Sequence, residues 1–280
     1  MKSSGSSFGH LQCCLSVGSR RYHSPPGWGE KPDSAILEIN HLSKHFGGLK
    51  AVDEVDLSVR RNTVHALVGP NGSGKTTLLN VLSGIYRPAK GRLLFDGQDV
   101  TRLLPHERAK RGIGRTFQTV RLFTSMSILE NIIVASEQPG NEIAIGSNGA
   151  GQHALAALDF VRLTELREQT VQSLSYGHQR LAEIARTLAG SPKLLLLDEP
   201  GAGLNSVEKS ELVQLLKRLK VHGLTVLVID HDMNLVEQVA DRITVLNFGR
   251  RIADGPPAEV LRNPEVMAAY LGNIKTHVAP

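Results

Sequence analysis

The residues most able to do chemistry are eight in a row: Gly69, Pro70, Asn71, Gly72, Ser73, Gly74, Lys75 and Thr76. They match the phosphate-loop pattern Gly-x-x-x-x-Gly-Lys-Thr at every fixed position. Glycines at this spacing let successive backbone N–H groups converge on phosphate oxygens, and a helix opening at Lys75 adds the positive end of its dipole. Lys75 is the expected contact to the β and γ phosphates of a nucleoside triphosphate. Thr76 is the expected ligand to Mg²⁺, and Thr77 completes the nucleotide-binding set.

Four leucines, Leu194 to Leu197, deliver Asp198 and Glu199 to a strand's carboxyl end, where a parallel sheet presents them beside the phosphate loop. Asp198 suits Mg²⁺, held through its water shell, and Glu199 suits the attacking water, which it would orient or deprotonate. His231 ends the next apolar run, Val228-Ile-Asp-His, where it could stabilise charge developing on the γ-phosphate. Gln118, in Arg115-Thr-Phe-Gln118, ends another candidate strand and offers a neutral ligand to Mg²⁺ or water. Singly, an Asp-Glu pair could cap a helix and a lone His could be structural; behind a phosphate loop they read as catalytic groups for phosphoryl transfer.

The elements that must position these groups are legible in the same rows. Val64-His-Ala-Leu-Val68 reads as a strand running into the loop, and Thr77-Leu-Leu-Asn-Val-Leu-Ser83 as the helix after it. Leu194–Leu197 and Thr225–Ile229 read as buried parallel strands. Ile36–Ile39 and Val55–Val59 have no helix between them, so an antiparallel β portion should precede the parallel core. The fold class expected is α/β, a P-loop NTPase with a mostly parallel sheet flanked by helices and a small helical subdomain at about 120–190. The stretch from about Ser127 to Thr170 reads as helical, with a loose centre at Gly140, Gly146, Gly149 and Gly151. No internal repeat is found, so the chain holds one nucleotide-binding unit.

The composition excludes several classes. With 280 residues, 41% hydrophobic and 21% charged, the chain is neither fibrous nor disordered, and no apolar run approaches the roughly 18–20 residues that span a bilayer. A net charge of +5 does not by itself demand nucleic acid, and none is expected as a partner. Cys13 and Cys14 are adjacent and cannot build a disulfide framework, which fits a reducing, cytosolic setting. Residues 1–34 are rich in Ser, Gly and Pro and read as a flexible tail, with a targeting peptide or a mis-set start as alternatives. Residues 273–280 read as a C-terminal tail, leaving 35–272 for the catalytic domain.

Leu174-Ser-Tyr-Gly-His-Gln-Arg180, opening a helix ahead of Asp198, joins these elements into a recognisable set. The chain resembles the ATP-binding subunit of an ABC transporter. The resemblance implies that ATP and Mg²⁺ are bound and that Ser175, Tyr176, Gly177 and His178 form the signature motif, which approaches the γ-phosphate held by a second ATPase subunit. It places Phe46 as the adenine-stacking aromatic, Gln118 in the Q-loop, Asn205 in the D-loop and His231 as the switch histidine. Finer matches resemble the ATPases of high-affinity branched-chain amino-acid uptake: Gly114-Arg-Thr-Phe-Gln-Thr-Val-Arg-Leu-Phe123, Met126-Ser-Ile-Leu-Glu-Asn131, Ala202-Gly-Leu-Asn205, His231-Asp-Met233 and Asn263-Pro-Glu-Val-Met-Ala-Ala-Tyr-Leu-Gly272.

That resemblance implies a paralogous ATPase in a heterodimer, two transmembrane permease subunits and, indirectly, a solute-binding protein. It also implies a cytoplasmic location at the inner face of the cell membrane, reached through the permease. A lipopolysaccharide-export ATPase is the nearest alternative, and Phe117 and Tyr176 argue against it. A soluble ATPase acting on ribosomes or nucleic acid usually has two such units or a long coiled coil, and neither is present. His178, Gly201 and a helical stretch shorter than typical between Asn131 and Leu174 depart from the pattern. Arg102, His106, Arg108, Lys110, Arg111, Arg115 and Arg121 make a basic cluster, expected as a solvated face or a permease-docking one.

Overall fold

Leu194–Leu197 and Val226–Ile229 are apolar at every position, so their strands can rest only where both faces are covered. The computed structural model, which describes residues 34–136 and 149–272, places them in the middle of the molecule. The chain opens with the antiparallel pair β1 (Ala35–Phe46) and β2 (Leu49–Arg60). β3 (Val64–Val68) leads through the glycine loop into α1 (Lys75–Leu82). Then come β4 (Lys90–Phe95), β5 (Gln98–Asp99), α2 (Pro105–Lys110) and β6 (Ile113–Arg115). Three helices follow, α3 (Ile128–Ser136), α4 (Gly149–Phe160) and α5 (Tyr176–Ala189). The last part alternates: β7 (Leu194–Asp198), α6 (Ser206–Val221), β8 (Thr225–Ile229), α7 (Met233–Val239), β9 (Arg242–Asn247) and β10 (Arg250–Gly255). Short helices α8 (Pro257–Val260) and α9 (Pro264–Gly272) close the described chain.

The strands form two sheets, as the α/β reading expects. One has the order β10-β9-β3-β8-β7-β6, parallel except for β10, and the other is antiparallel with the order β2-β1-β4-β5. Alternation along the parallel strands feeds two cores. Leu195, Leu197, Val226 and Val228 face one core with α3 to α6, while Leu194, Leu196, Leu227 and Ile229 face the other with α1 and the antiparallel sheet. Truncating such a leucine to alanine costs about 2–5 kcal/mol, which is the rigidity available to whatever stands at the strand ends.

α3, α4 and α5 pack on one another through Ile128, Ile132, Ala154, Ala157, Leu158 and Ile184, in the same core as the sheet. Gly149 and Gly151 do not break this region; they lie in the first turn of α4, where burial of Ala154, Ala157 and Leu158 outweighs their weak helix propensity. The expected loose centre at Gly140 and Gly146 lies outside the described residues, as do residues 1–33 and 273–280 of the expected tails.

The basic cluster divides. Arg102, His106, Lys110, Arg111 and Arg121 are exposed, but Arg108 is 1% exposed and is no part of a solvated or docking face. Its guanidinium donates to the carbonyls of Val81, Leu82, Thr101 and Leu103, closing the C-terminal end of α1 with a cation where the helix dipole favours one. Burial pulls its pKa down to about 10. Arg115 is likewise withdrawn from the surface, into the site described next.

Candidate nucleotide site

The phosphate loop is pinned at both ends by neighbouring backbone. Gly69 has φ +149°, and a Cβ there would stand 2.1 Å from the carbonyl oxygen of Leu246 in β9; Gly74 has φ +102°, and a Cβ would stand 2.2 Å from that of Ala51 in β2. Only glycine fits either place. Between them, a Cβ on Gly72 would meet nothing within 4 Å, so the loop's middle faces open space of the kind a phosphate needs. Lys75 Nζ folds back into this loop, donating to Gly69 O at 2.7 Å and Pro70 O at 2.8 Å. Burial lowers its pKa, and the nearby Glu199 and Asp198 work against that shift.

β7 carries Asp198 to the same edge, 3% exposed. Burial raises its pKa, and Arg115 opposes the rise from 3.2 Å. Arg115 also donates to Asn80 Oδ1 at 2.8 Å and Ser83 Oγ at 2.6 Å, tying the acid to α1. The next residue, Glu199, adopts φ +46°, a left-handed conformation costing a non-glycine residue on the order of 1–3 kcal/mol. Its N–H is held by Ile229 O at 2.8 Å. Its Oε2 accepts from Gln118 Nε2 at 3.1 Å and lies 3.8 Å from His231 Nδ1. Three residues far apart in sequence therefore meet at one carboxylate. Gln118 reaches it from a bend after β6, which ends three residues earlier, at Arg115, and not at Gln118 as the sequence suggests.

The Q-loop is fixed from behind by a buried ion pair. Arg180, on α5, donates to Phe117 O and Gln118 O at 2.6 Å each and to Glu183 Oε2 at 2.9 Å, while Glu183 Oε1 accepts from the N–H groups of Phe117 and Arg121. The guanidinium groups of Arg115 and Arg121 stand 5.0 and 4.3 Å from the ring of Phe117. At the start of α5, Ser175 Oγ accepts from His178 N–H at 3.2 Å as an N-cap. The loop before α6 packs against the same turn: a Cβ on Gly203 would stand 3.1 Å from the Tyr176 ring. Asn205 caps α6, accepting from Val207 and Glu208 N–H at 2.9 and 3.0 Å.

The family model described as ABC transporter matches residues 52–202, which hold the phosphate loop, the Q-loop, the signature and the acid pair. This chain belongs to that family. A second model, described as branched-chain amino acid ATP-binding cassette transporter, matches residues 250–273 of the cassette. Its relatives include the high-affinity branched-chain amino acid transport ATP-binding protein BraF of Pseudomonas aeruginosa, 42% identical over 85% of this chain and 98% of that one. The corresponding protein LivG of Escherichia coli is 40% identical over 85% and 98%. Among solved structures, a nucleotide-free ATP-binding cassette from an ABC transporter matches with a TM-score of 0.78 at 33% identity, over 85% of this chain and 99% of that one. A cassette in its ADP conformation matches at 0.77 and 34%, over the same shares.

The donors present in this cassette fit Mg²⁺. Thr76 hydroxyl, Asp198 carboxylate and Gln118 amide are hard oxygen ligands, the set that ion prefers. Phe46, read as the adenine platform, is 43% exposed at the end of β1, with Tyr86 edge-on at 5.3 Å and Lys44 Nζ 5.1 Å from its ring. The sequence reading missed Arg115, Arg180 and Glu183 as members of the site. Arg180 and Glu183 carried a signal: opposite charges three apart on α5, bracketing Leu181 and Ala182 and followed by Ile184 and Ala185. Arg115 stood in the Q-loop motif itself and was assigned to a surface.

Proposed function

We propose that this cassette is the ATP-binding and ATP-hydrolysing subunit of an importer for branched-chain amino acids or a related small solute. The observation that carries the reading is the meeting of Gln118, Glu199 and His231 at the sheet edge beside the phosphate loop, in a chain whose relatives are named for that transport. Backbone N–H groups of residues 71–76 and the Lys75 ammonium hold the triphosphate, and Phe46 stacks on the base. Thr76, Asp198 and Gln118 are the residues that would hold Mg²⁺, which neutralises phosphate charge when bound. Glu199, its backbone strained and its carboxylate held by Gln118, orients and deprotonates the water. His231 faces the same carboxylate and stabilises charge as the phosphate leaves.

Ser175, Tyr176, Gly177 and His178 serve the ATP of a second, paralogous ATPase subunit, with Asn205 in the loop between the two. A Ser hydroxyl and free N–H groups at a helix start form an anion site, and one chain has no second phosphate to place there. Two permeases complete the transporter, with a solute-binding protein acting on them. The docking face is a cavity of about 260 Å³ lined by Ile113, Phe123, Val134, Ala135, Arg186 and Pro192, next to the Q-loop. No helix among the described residues is long and apolar enough to cross a membrane, which supports a peripheral place on the cytoplasmic face through those permeases. The test is uptake by vesicles holding the cassette with a paralogous ATPase subunit and two permease subunits of a branched-chain amino-acid importer. Leucine uptake driven by ATP and lost with Lys75→Ala supports the assignment, and ATP-dependent uptake of an unrelated solute alone refutes the substrate.

A further inference from the structure

The signature end already holds an anion of its own. Glu208, third residue of α6, bends back over the start of α5. Its Oε1 accepts a hydrogen bond from Ser175 Oγ at 3.3 Å, and its Oε2 accepts one from Asn205 N–H at 3.1 Å. A Cβ on Gly177 would stand 2.4 Å from Oε1 and 2.5 Å from the carboxyl carbon, so the carboxylate lies directly on the backbone of the first turn. The neighbouring cation, Lys209, is engaged by Asp232 at 2.6 Å, and among the described residues no cation forms an ion pair with Glu208. A negative charge without an ion-pair partner thus rests on the two signature residues, Ser175 and Gly177, that are read above as the receptor for a second subunit's γ-phosphate.

A serine has one O–H to give, and here it is given to Glu208. The arriving phosphate needs the same hydrogen and brings the same sign of charge. We propose that Glu208 is a built-in competitor at the signature: it holds Ser175 while the two subunits are apart and repels the incoming phosphate, setting the ATP concentration at which they close. This rests on the reading of Ser175 and Gly177 as the cross-subunit contact. Because the site is exposed and its charges are screened, Glu208 tunes closure without preventing it. Because its second oxygen completes the cap of α6, a glutamine at 208 keeps the bond to Asn205 through its single amide oxygen and loses the charge together with the acceptor that holds Ser175.

The test mixes the hydrolysis-blocked Glu199→Gln chain, with and without Glu208→Gln, with the paralogous ATPase subunit and follows ATP-driven pairing of the two by light scattering in the presence of Mg²⁺. The expected result is half-association at on the order of tenfold less ATP when Glu208 is replaced, as for one pair of like charges near contact at a wet site. The gap narrows as salt is raised to about 0.5 M. Binding of a fluorescent ATP analogue to the single chain is expected to be the same in both. Glu208→Asp, which retains the charge, is expected to keep the higher ATP requirement, so a loss of stability in the glutamine variant does not mimic the effect. An ATP requirement that is unchanged or higher in Glu208→Gln overturns the competitor role. Failure of both chains to pair at saturating ATP overturns the cross-subunit reading itself, and the role of Glu208 with it.

Discussion

Lys75 and Ser175 each stand at the start of a helix suited to an anion, α1 and α5, and the two ends are occupied differently. At the first, the loop is clamped by the backbone of β2 and β9 at Gly74 and Gly69, and Lys75 is folded onto the loop's own carbonyls. Glu199 and His231 follow the ends of β7 and β8, strands fixed by two cores. At the second, the hydroxyl of Ser175 is engaged by a carboxylate from the next helix, at an exposed surface. The first end is built to be complete within one chain. The second is built to exchange an internal anion for an external one. Rigidity is spent where bonds break, and exchangeable polar contacts are kept where subunits meet.

The largest blow to this contrast falls on the phosphate end. Lys75→Ala removes the cation from the loop and is expected to abolish measurable ATP binding, a fall of about a thousandfold or more, ~4 kcal/mol. Calorimetry checks it, and an affinity within a few-fold of the unaltered chain would sink the phosphate-loop reading. Next comes the clamp joining the two ends. Arg180→Met leaves Glu183 buried and unpaired, for a loss of about 3–5 kcal/mol in unfolding free energy. Adding Glu183→Leu is expected to recover most of that stability and not the ATPase rate, because the Q-loop carbonyls of Phe117 and Gln118 stay unheld. Full recovery of the rate would reduce the pair to a packing feature.

A smaller effect tests the strand that feeds the loop. His65 of β3 is buried and bonded to Thr244 at 2.8 Å, and burial pulls its pKa down to about 4. Thr244 in turn donates to Asp254, so His65 Nε2 carries the hydrogen of the bond to Thr244. Between the ordinary histidine value near 6.5 and about 4 the unfolded chain binds a proton that the folded chain refuses. Stability is therefore full above pH 6.5 and declines as pH falls through that window, by about 3 kcal/mol at most. Urea unfolding at a series of pH values reads the slope. His65→Gln is expected to flatten it, and an unaltered slope would show that another group carries the acid sensitivity.

Much of the phosphate end was legible in the sequence because local chemistry dictates it. Gly69 to Thr76 must turn tightly, the apolar run Leu194–Leu197 must be buried, and the acids that follow must emerge at a strand end. The signature end was legible only through its family resemblance. Arg115 and Arg108 show why composition misleads: both look like surface charge in a basic stretch, yet one satisfies α1's terminal carbonyls and the other meets Asp198. Glu208 was invisible as well, because an acid in the first turn of a helix is ordinary. Its meaning comes from Ser175, 33 residues away in the chain.

Glu199 is proposed as the group acting on water when this chain hydrolyses ATP. The most direct measurement is ATP affinity and turnover of Glu199→Gln side by side. Affinity within a few-fold of the unaltered chain is expected, with turnover lower by several powers of ten, each about 1.4 kcal/mol of barrier. Turnover at the unaltered rate would contradict that role.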